Sequence, residues 1–129
     1  MDLQSYIDKQ KPILRLSNWR IAVQIESDQV EDYFAVTDLV PGRNYATITF
    51  YPRFFSSDEQ EQKVTIAHEL LHCHGDRLFK HLCGAIKDHI NPPTYQIWYE
   101  SARIDMEHLV DDLAEVVVNL LTPYKVIRL

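Results

Sequence analysis

The chain has 129 residues, of which 46% are hydrophobic and 25% charged, and a formal net charge of −6. This length suits a single domain over residues 1–129 with a core that needs no covalent staple, and the negative balance argues against general binding to nucleic acid or anionic membranes. No apolar run approaches the roughly 18 residues that cross a bilayer and no secretory leader opens the chain, so a cytoplasmic location is expected.

Taken in order, Asp2 to Lys11 has Leu3, Tyr6 and Ile7 at the spacing of a short amphipathic helix, with Pro12 at its end. Arg20 to Glu26 is rich in β-branched residues and is predicted as a strand, and Tyr33 to Thr37 as a second. Ser27-Asp28 and Glu31-Asp32 lie in the connection between them. Pro41-Gly42-Arg43-Asn44 is a turn signal. It leads into Tyr45 to Tyr51, where Ala46, Ile48 and Phe50 alternate with Tyr45, Thr47, Thr49 and Tyr51, the pattern of a half-buried strand. Short connections favour an antiparallel sheet or meander.

Ser56 with Glu59, or Ser57 with Gln60, then forms a capping box for a helix from about Asp58 to His74, with Gly75 as its left-handed terminator. Arg77 to Ile90 has mixed character, with a short helix through Phe79 and Leu82 interrupted at Gly84. Asn91-Pro92-Pro93-Thr94 punctuates the chain before a second long helix, from about Tyr95 to Leu121, which Thr122-Pro123 ends. Leu109-Val110, Leu113-Ala114, Val116-Val117 and Leu120-Leu121 give it a wide core-facing stripe. Cys73 and Cys83 are the two cysteines. They imply no disulfide framework, and Cys73 falls on the apolar side of its helix as a packed thiol.

The chemistry lies in His68-Glu69-Leu70-Leu71-His72, an H-E-x-x-H sequence on the first long helix. Residues four apart stand one above the other on a helix, so His68 and His72 can hold one ion from a single face. Glu69 is about 100° round the axis, placed to reach a water on that ion as a general base. Two imidazoles and a neighbouring carboxylate suit Zn²⁺ and metal-assisted hydrolysis. A catalytic site needs a third protein ligand. The extended plan H-E-x-x-H-x-x-G-x-x-H is met by Gly75 but fails at Leu78. His74, His81, His89, His108 and the acids of the second long helix remain. Glu107 and Asp111 share one border of that helix's apolar stripe, Asp105 and Asp112 lie on the other, and Glu100 and Glu115 are nearer the polar side. Periodicity leaves both borders open.

His68-Glu69-Leu70-Leu71-His72 followed on a later helix by Glu107-His108-Leu109-Val110-Asp111 resembles the gluzincin pattern, H-E-x-x-H with a distant E-x-x-x-D. The resemblance implies that Glu107 is the third zinc ligand and Asp111 the acid that supports a ligand histidine, a role in which Asp112 competes with Asp111. The short chain and the three strands before the motif helix also look like the compact ImmA/IrrE-type metallopeptidases, common in phages and mobile elements. The similarity covers roughly residues 45–121. It implies an α+β, zincin-like fold, a small three-stranded mainly antiparallel sheet packed on the H-E-x-x-H helix and a second long helix, located in the host cytoplasm where the gene is phage-borne.

The leading expectation is a zinc peptidase acting on a peptide or protein substrate, with His68, His72 and Glu107 on Zn²⁺ and Glu69 as base. Further donors would come from His81, His89, His108, Tyr95 or Tyr99, and strand Tyr45 to Tyr51 would offer a sheet edge to an extended substrate. The alternative is a non-catalytic zinc-containing module that sequesters a partner protein. A third possibility is a metal hydrolase acting on another kind of bond.

Overall fold

A computed structural model describes residues 2–128, with side chains over 2–120. The element order is α1 (Leu3–Gln10), β1 (Arg20–Ile25), β2 (Ala35–Leu39), β3 (Tyr45–Phe50), α2 (Pro52–Phe55), α3 (Glu59–Lys87) and α4 (Pro92–Arg128). This is the expected α+β arrangement: a small sheet, the helix carrying H-E-x-x-H, and a second long helix.

Asp2 caps α1 by accepting a hydrogen bond from the Ser5 amide at 2.8 Å, and Ile7 is driven fully into the core. The sheet order is β1-β3-β2. β1 runs parallel to β3, with Arg20 opposite Tyr45, and β2 runs antiparallel to β3, with Ala35 opposite Phe50. The sheet is therefore mixed, neither mainly antiparallel nor a meander. The reason lies in β3, which buries Ala46, Ile48, Thr49 and Phe50 and so takes the centre. Thr47 and Thr49 disguise that burial as alternation. Thr49 is accommodated because its hydroxyl donates to Gln24 Oε1 of β1 at 3.3 Å. Gly42, at φ +73°, supplies the left-handed residue of the β2–β3 turn.

The main core joins α1, the sheet and α3 through Ile7, Leu16, Trp19, Ile21, Ala46, Ile48, Phe50, Phe54, Ile66, Leu70 and Cys73. Cys73 is a packed thiol, as expected, and burial pushes its pKa up to about 12. β3 ends at Phe50, one residue short of the expected Tyr51. Pro52 starts the one-turn helix α2, whose Phe54 ring lies 4.7 Å from that of Phe50.

α3 starts where expected, but its cap differs and it runs well past its expected end. Its N-cap is Asp58, whose carboxylate accepts from the Glu61 amide at 2.8 Å, rather than either serine-based box. Ser57 instead donates to the Phe54 carbonyl. The helix passes through Gly75 and Gly84 to Lys87, so the histidine pair sits near its middle. Each glycine costs about 1 kcal/mol of helix propensity, which the continued packing against α4, including burial of Cys83, offsets. Gly75 has a use there: a Cβ would meet Met106 Sδ at 3.0 Å, so its absence lets α4 come close.

α4 starts three residues earlier than expected. Asn91 Oδ1 accepts from the Thr94 amide at 2.9 Å, and Pro92 and Pro93 occupy first-turn positions whose amides have no helical partner. The helix also continues past Pro123, to Arg128, despite the N–H that proline lacks. Its stripe is only half covered. Val110, Ala114 and Val118 are buried against α3, whereas Leu109, Leu113, Val116 and Leu120 are exposed, because one neighbouring helix cannot cover so wide a face. The Leu121 side chain lies outside the described residues. No helix among the described residues is long and apolar enough to cross a membrane.

Candidate metal centre

α3 and α4 form an antiparallel pair in which rising numbers on one meet falling numbers on the other. Ala67 packs with Ala114 and Val118, Gly75 faces Met106 and Val110, and Phe79 meets Trp98 and Tyr99. That register brings Glu107 level with the histidines. His72 Nε2 is 3.0 Å from His68 Nε2, 3.1 Å from Glu107 Oε1, and His68 Nε2 is 3.4 Å from Glu107 Oε2. One ligand atom from each residue lies within 4.8 Å of the others, so this group can hold a metal ion.

The donor set and its spacing test that possibility. Ligand atoms around a tetrahedral zinc with bonds of about 2.0–2.1 Å are about 3.3 Å apart, close to the 3.0 Å between the two imidazole nitrogens and to the 3.1 and 3.4 Å from each of them to one or other oxygen of Glu107. The outward nitrogens are also fixed. His68 Nδ1–H donates to Asp111 Oδ1 at 2.7 Å, and His72 Nδ1–H donates to Asp76 Oδ1 at 2.9 Å. A carboxylate accepts only, so each ring is held in the tautomer that presents Nε2 to the shared point. Of the two neighbouring acids on α4, Asp111 makes this bond, and Asp112 is exposed.

Charge is concentrated here. Burial disfavours a charged His72, but hydrogen bonds to Asp76 and Glu107 outweigh it and lift its pKa to about 10. His68 is raised in the same way, burial being overcome by Glu107, Glu69 and Asp111. The two imidazoles hold the Glu107 carboxyl well below the usual carboxylate range. Without an ion, the site is thus a carboxylate gripped by imidazolium, and metal entry must displace protons.

Glu69 is almost wholly enclosed, and burial pushes its carboxyl up to about 7. Oε2 lies 3.7 Å from His68 Nε2. Oε1 accepts a 2.7 Å hydrogen bond from the Thr37 hydroxyl on β2, which also lies 3.1 Å from the Glu69 carbonyl. β2 therefore fixes one carboxylate oxygen and leaves the other facing the ligand atoms.

A cleft of about 780 Å³ opens over these groups, with β2 and the preceding 32–34 segment on one side and α3 and α4 on the other. That segment is held by Gln29. Its amide donates to the Tyr33 carbonyl at 2.7 Å, and its Oε1 accepts from the Arg53 amide at 2.9 Å. Of the further donors expected, Tyr99 lines the cleft; His81, His89, His108 and Tyr95 do not. His74 donates instead to the Leu14 carbonyl at 2.7 Å. Strand Tyr45 to Tyr51 offers no free edge, since β3 is central; β2 is the edge beside the site.

Two contributors escaped the sequence reading. Asp76 had a signal, since it stands four residues beyond His72 on the same helical stripe. Thr37 had none, because its role depends on which strand lies against α3. Comparison with protein-family models, with curated proteins and with solved structures found no match to this chain.

Proposed function

We propose that the chain is a compact gluzincin-type metallopeptidase, with His68, His72 and Glu107 holding Zn²⁺ and Glu69 as the general base. The observation that carries this reading is the convergence of three ligand atoms on one point, with a buried carboxylate beside them and an open cleft above. When bound, the ion supplies Lewis-acid polarisation of a peptide carbonyl and acidifies a water. The rest falls to the chain's own groups. Glu69, with one oxygen tied to Thr37 and the other facing the ligand atoms, accepts a proton from the attacking water and returns it to the departing amine. Asp76 and Asp111 keep both imidazoles oriented through the cycle. The free edge of β2 is suited to pairing with an extended peptide backbone, which would lay the scissile bond across the site.

Glu69→Gln tests the assignment. The variant should retain zinc at wild-type stoichiometry and lose hydrolysis of an unfolded protein substrate such as casein. Hydrolysis at the wild-type rate would remove Glu69 from the role of base.

A further inference from the structure

The cleft does not stop at the metal centre. Along α3 it extends from Val64 to Cys83, nineteen residue steps or about 28 Å at 1.5 Å per residue. An extended peptide advances about 3.3 Å per residue, so a span of about eight residues fits. The two arms are unequal. His68 is four residues from Val64, whereas His72 is eleven residues from Cys83.

The long arm has a distinct lining. Phe79 stands seven residues beyond His72, about two turns, on the same stripe of α3. Tyr99 faces it from α4 with ring centroids 5.6 Å apart, and Met106 lies between them and Glu107. Both rings are half-buried: Trp98 stacks behind Phe79, and Tyr95 lies against Tyr99. They are backed by other rings and present remaining surface to the cleft. Lys80 and Arg103 lie on the same arm and are exposed, Arg103 reaching Glu100 only at 3.5 Å. Asp76 lies on this arm with its Oδ1 engaged by His72, and Asp32, which also lines the cleft, is paired with Arg53 at 3.2 Å.

We propose that this arm is a side-chain subsite for an extended polypeptide, taking an aromatic or long aliphatic residue against Phe79 and Tyr99 and rejecting a basic one through Lys80 and Arg103. The inference rests on the peptide-binding part of the function proposed above, not on the hydrolytic step. Burying a large apolar side chain is worth roughly 10- to 150-fold in affinity.

The test is binding, read by fluorescence anisotropy of labelled eight-residue peptides on full-length, zinc-loaded Glu69→Gln protein. A phenylalanine is moved through an alanine background, then replaced at each position by lysine. One position should gain at least about tenfold from phenylalanine and lose affinity with lysine. Phe79→Ala and Tyr99→Ala should abolish the gain. Arg103→Glu, at an exposed position, should convert lysine from disfavoured to favoured there. A flat positional profile, absence of peptide binding, or a profile unchanged in both Phe79→Ala and Arg103→Glu would overturn the subsite. Selective binding with no hydrolysis by the wild type would instead retire the peptidase reading and leave the subsite standing.

Discussion

Replacing Asp76 by asparagine separates two effects that one carboxylate exerts on the metal centre. The amide matches the carboxylate in size, and its carbonyl oxygen can still accept the 2.9 Å bond from His72 Nδ1–H, but the charge is gone. Outer carboxylates on ligand histidines typically contribute 10- to 100-fold to metal affinity, about 1.4–2.8 kcal/mol. The same charge also holds a proton on His72, whose pKa stands at about 10. Below that value an incoming ion displaces the proton, and wild-type affinity rises about tenfold per pH unit for each proton released. The Asp76→Asn change weakens both the ligand and its proton competitor. Near about pH 6 the two losses oppose each other, and wild type and variant bind zinc comparably. As pH rises further the variant sheds its proton before the wild type does, its pH dependence flattens first, and the ratio climbs in favour of the wild type. Zinc titration against a chromogenic chelator across that rise in pH measures the ratio directly. A ratio that stays constant with pH, whatever its size, refutes the reasoning.

The remaining predictions concern the buried base and the metal-free fold. Thr37→Val removes the hydroxyl that meets the enclosed Glu69 carboxylate, which should cost about 1–3 kcal/mol in chemical denaturation. Thr37→Ser should restore most of it, with zinc affinity unchanged in both; an equal loss in the two variants would mean that only packing was disturbed. The metal-free protein should lose stability as pH rises. His72, raised from 6.5 to about 10, contributes stability that is fully present below about 6.5 and is lost as pH climbs to about 10. Glu69, raised from 4.5 to about 7 by burial, becomes a liability over that lower interval as its charged form is enforced. Glu107 acts oppositely: its depressed pKa contributes stability above about 4.5 that is lost only in stronger acid. Denaturation midpoints should therefore peak on the mildly acidic side and fall towards alkaline pH, at a slope of at most about 1.4 kcal/mol per pH unit per proton. A maximum above neutrality would contradict the assignment of these charges.

The parts of the fold legible in the sequence were those set by local period. His68 with His72, and Glu107 with Asp111, are four-residue spacings, and four residues on a helix fix a shared face wherever the helix lies. The three strands and the two long helices were legible for the same reason, whereas the one-turn helix α2 was not, and residues 77–87 read as a separate short helix although they continue α3. Order within the sheet was not, because Thr47 and Thr49 look solvent-facing in a strand that lies at the centre, and strand order is decided by total burial. Helix ends failed where packing opposed local preference. Gly75 reads as a terminator, yet closeness to Met106 gives it a place inside α3, and Pro92-Pro93 reads as a break although both prolines fit the first turn of α4. The exposed row of Leu109, Leu113, Val116 and Leu120 shows the converse limit. Periodicity identifies an apolar face but not how many neighbours are there to cover it.

The central claim is that two helices deliver a third ligand to the histidine pair, and zinc stoichiometry in the wild type and in Glu107→Ala tests it most directly. Elemental analysis should find one tightly held zinc per wild-type chain and little in the variant, whose circular dichroism keeps the wild-type helical signal. A wild-type protein that takes up no zinc, or a Glu107→Ala protein that holds it undiminished, would contradict the account.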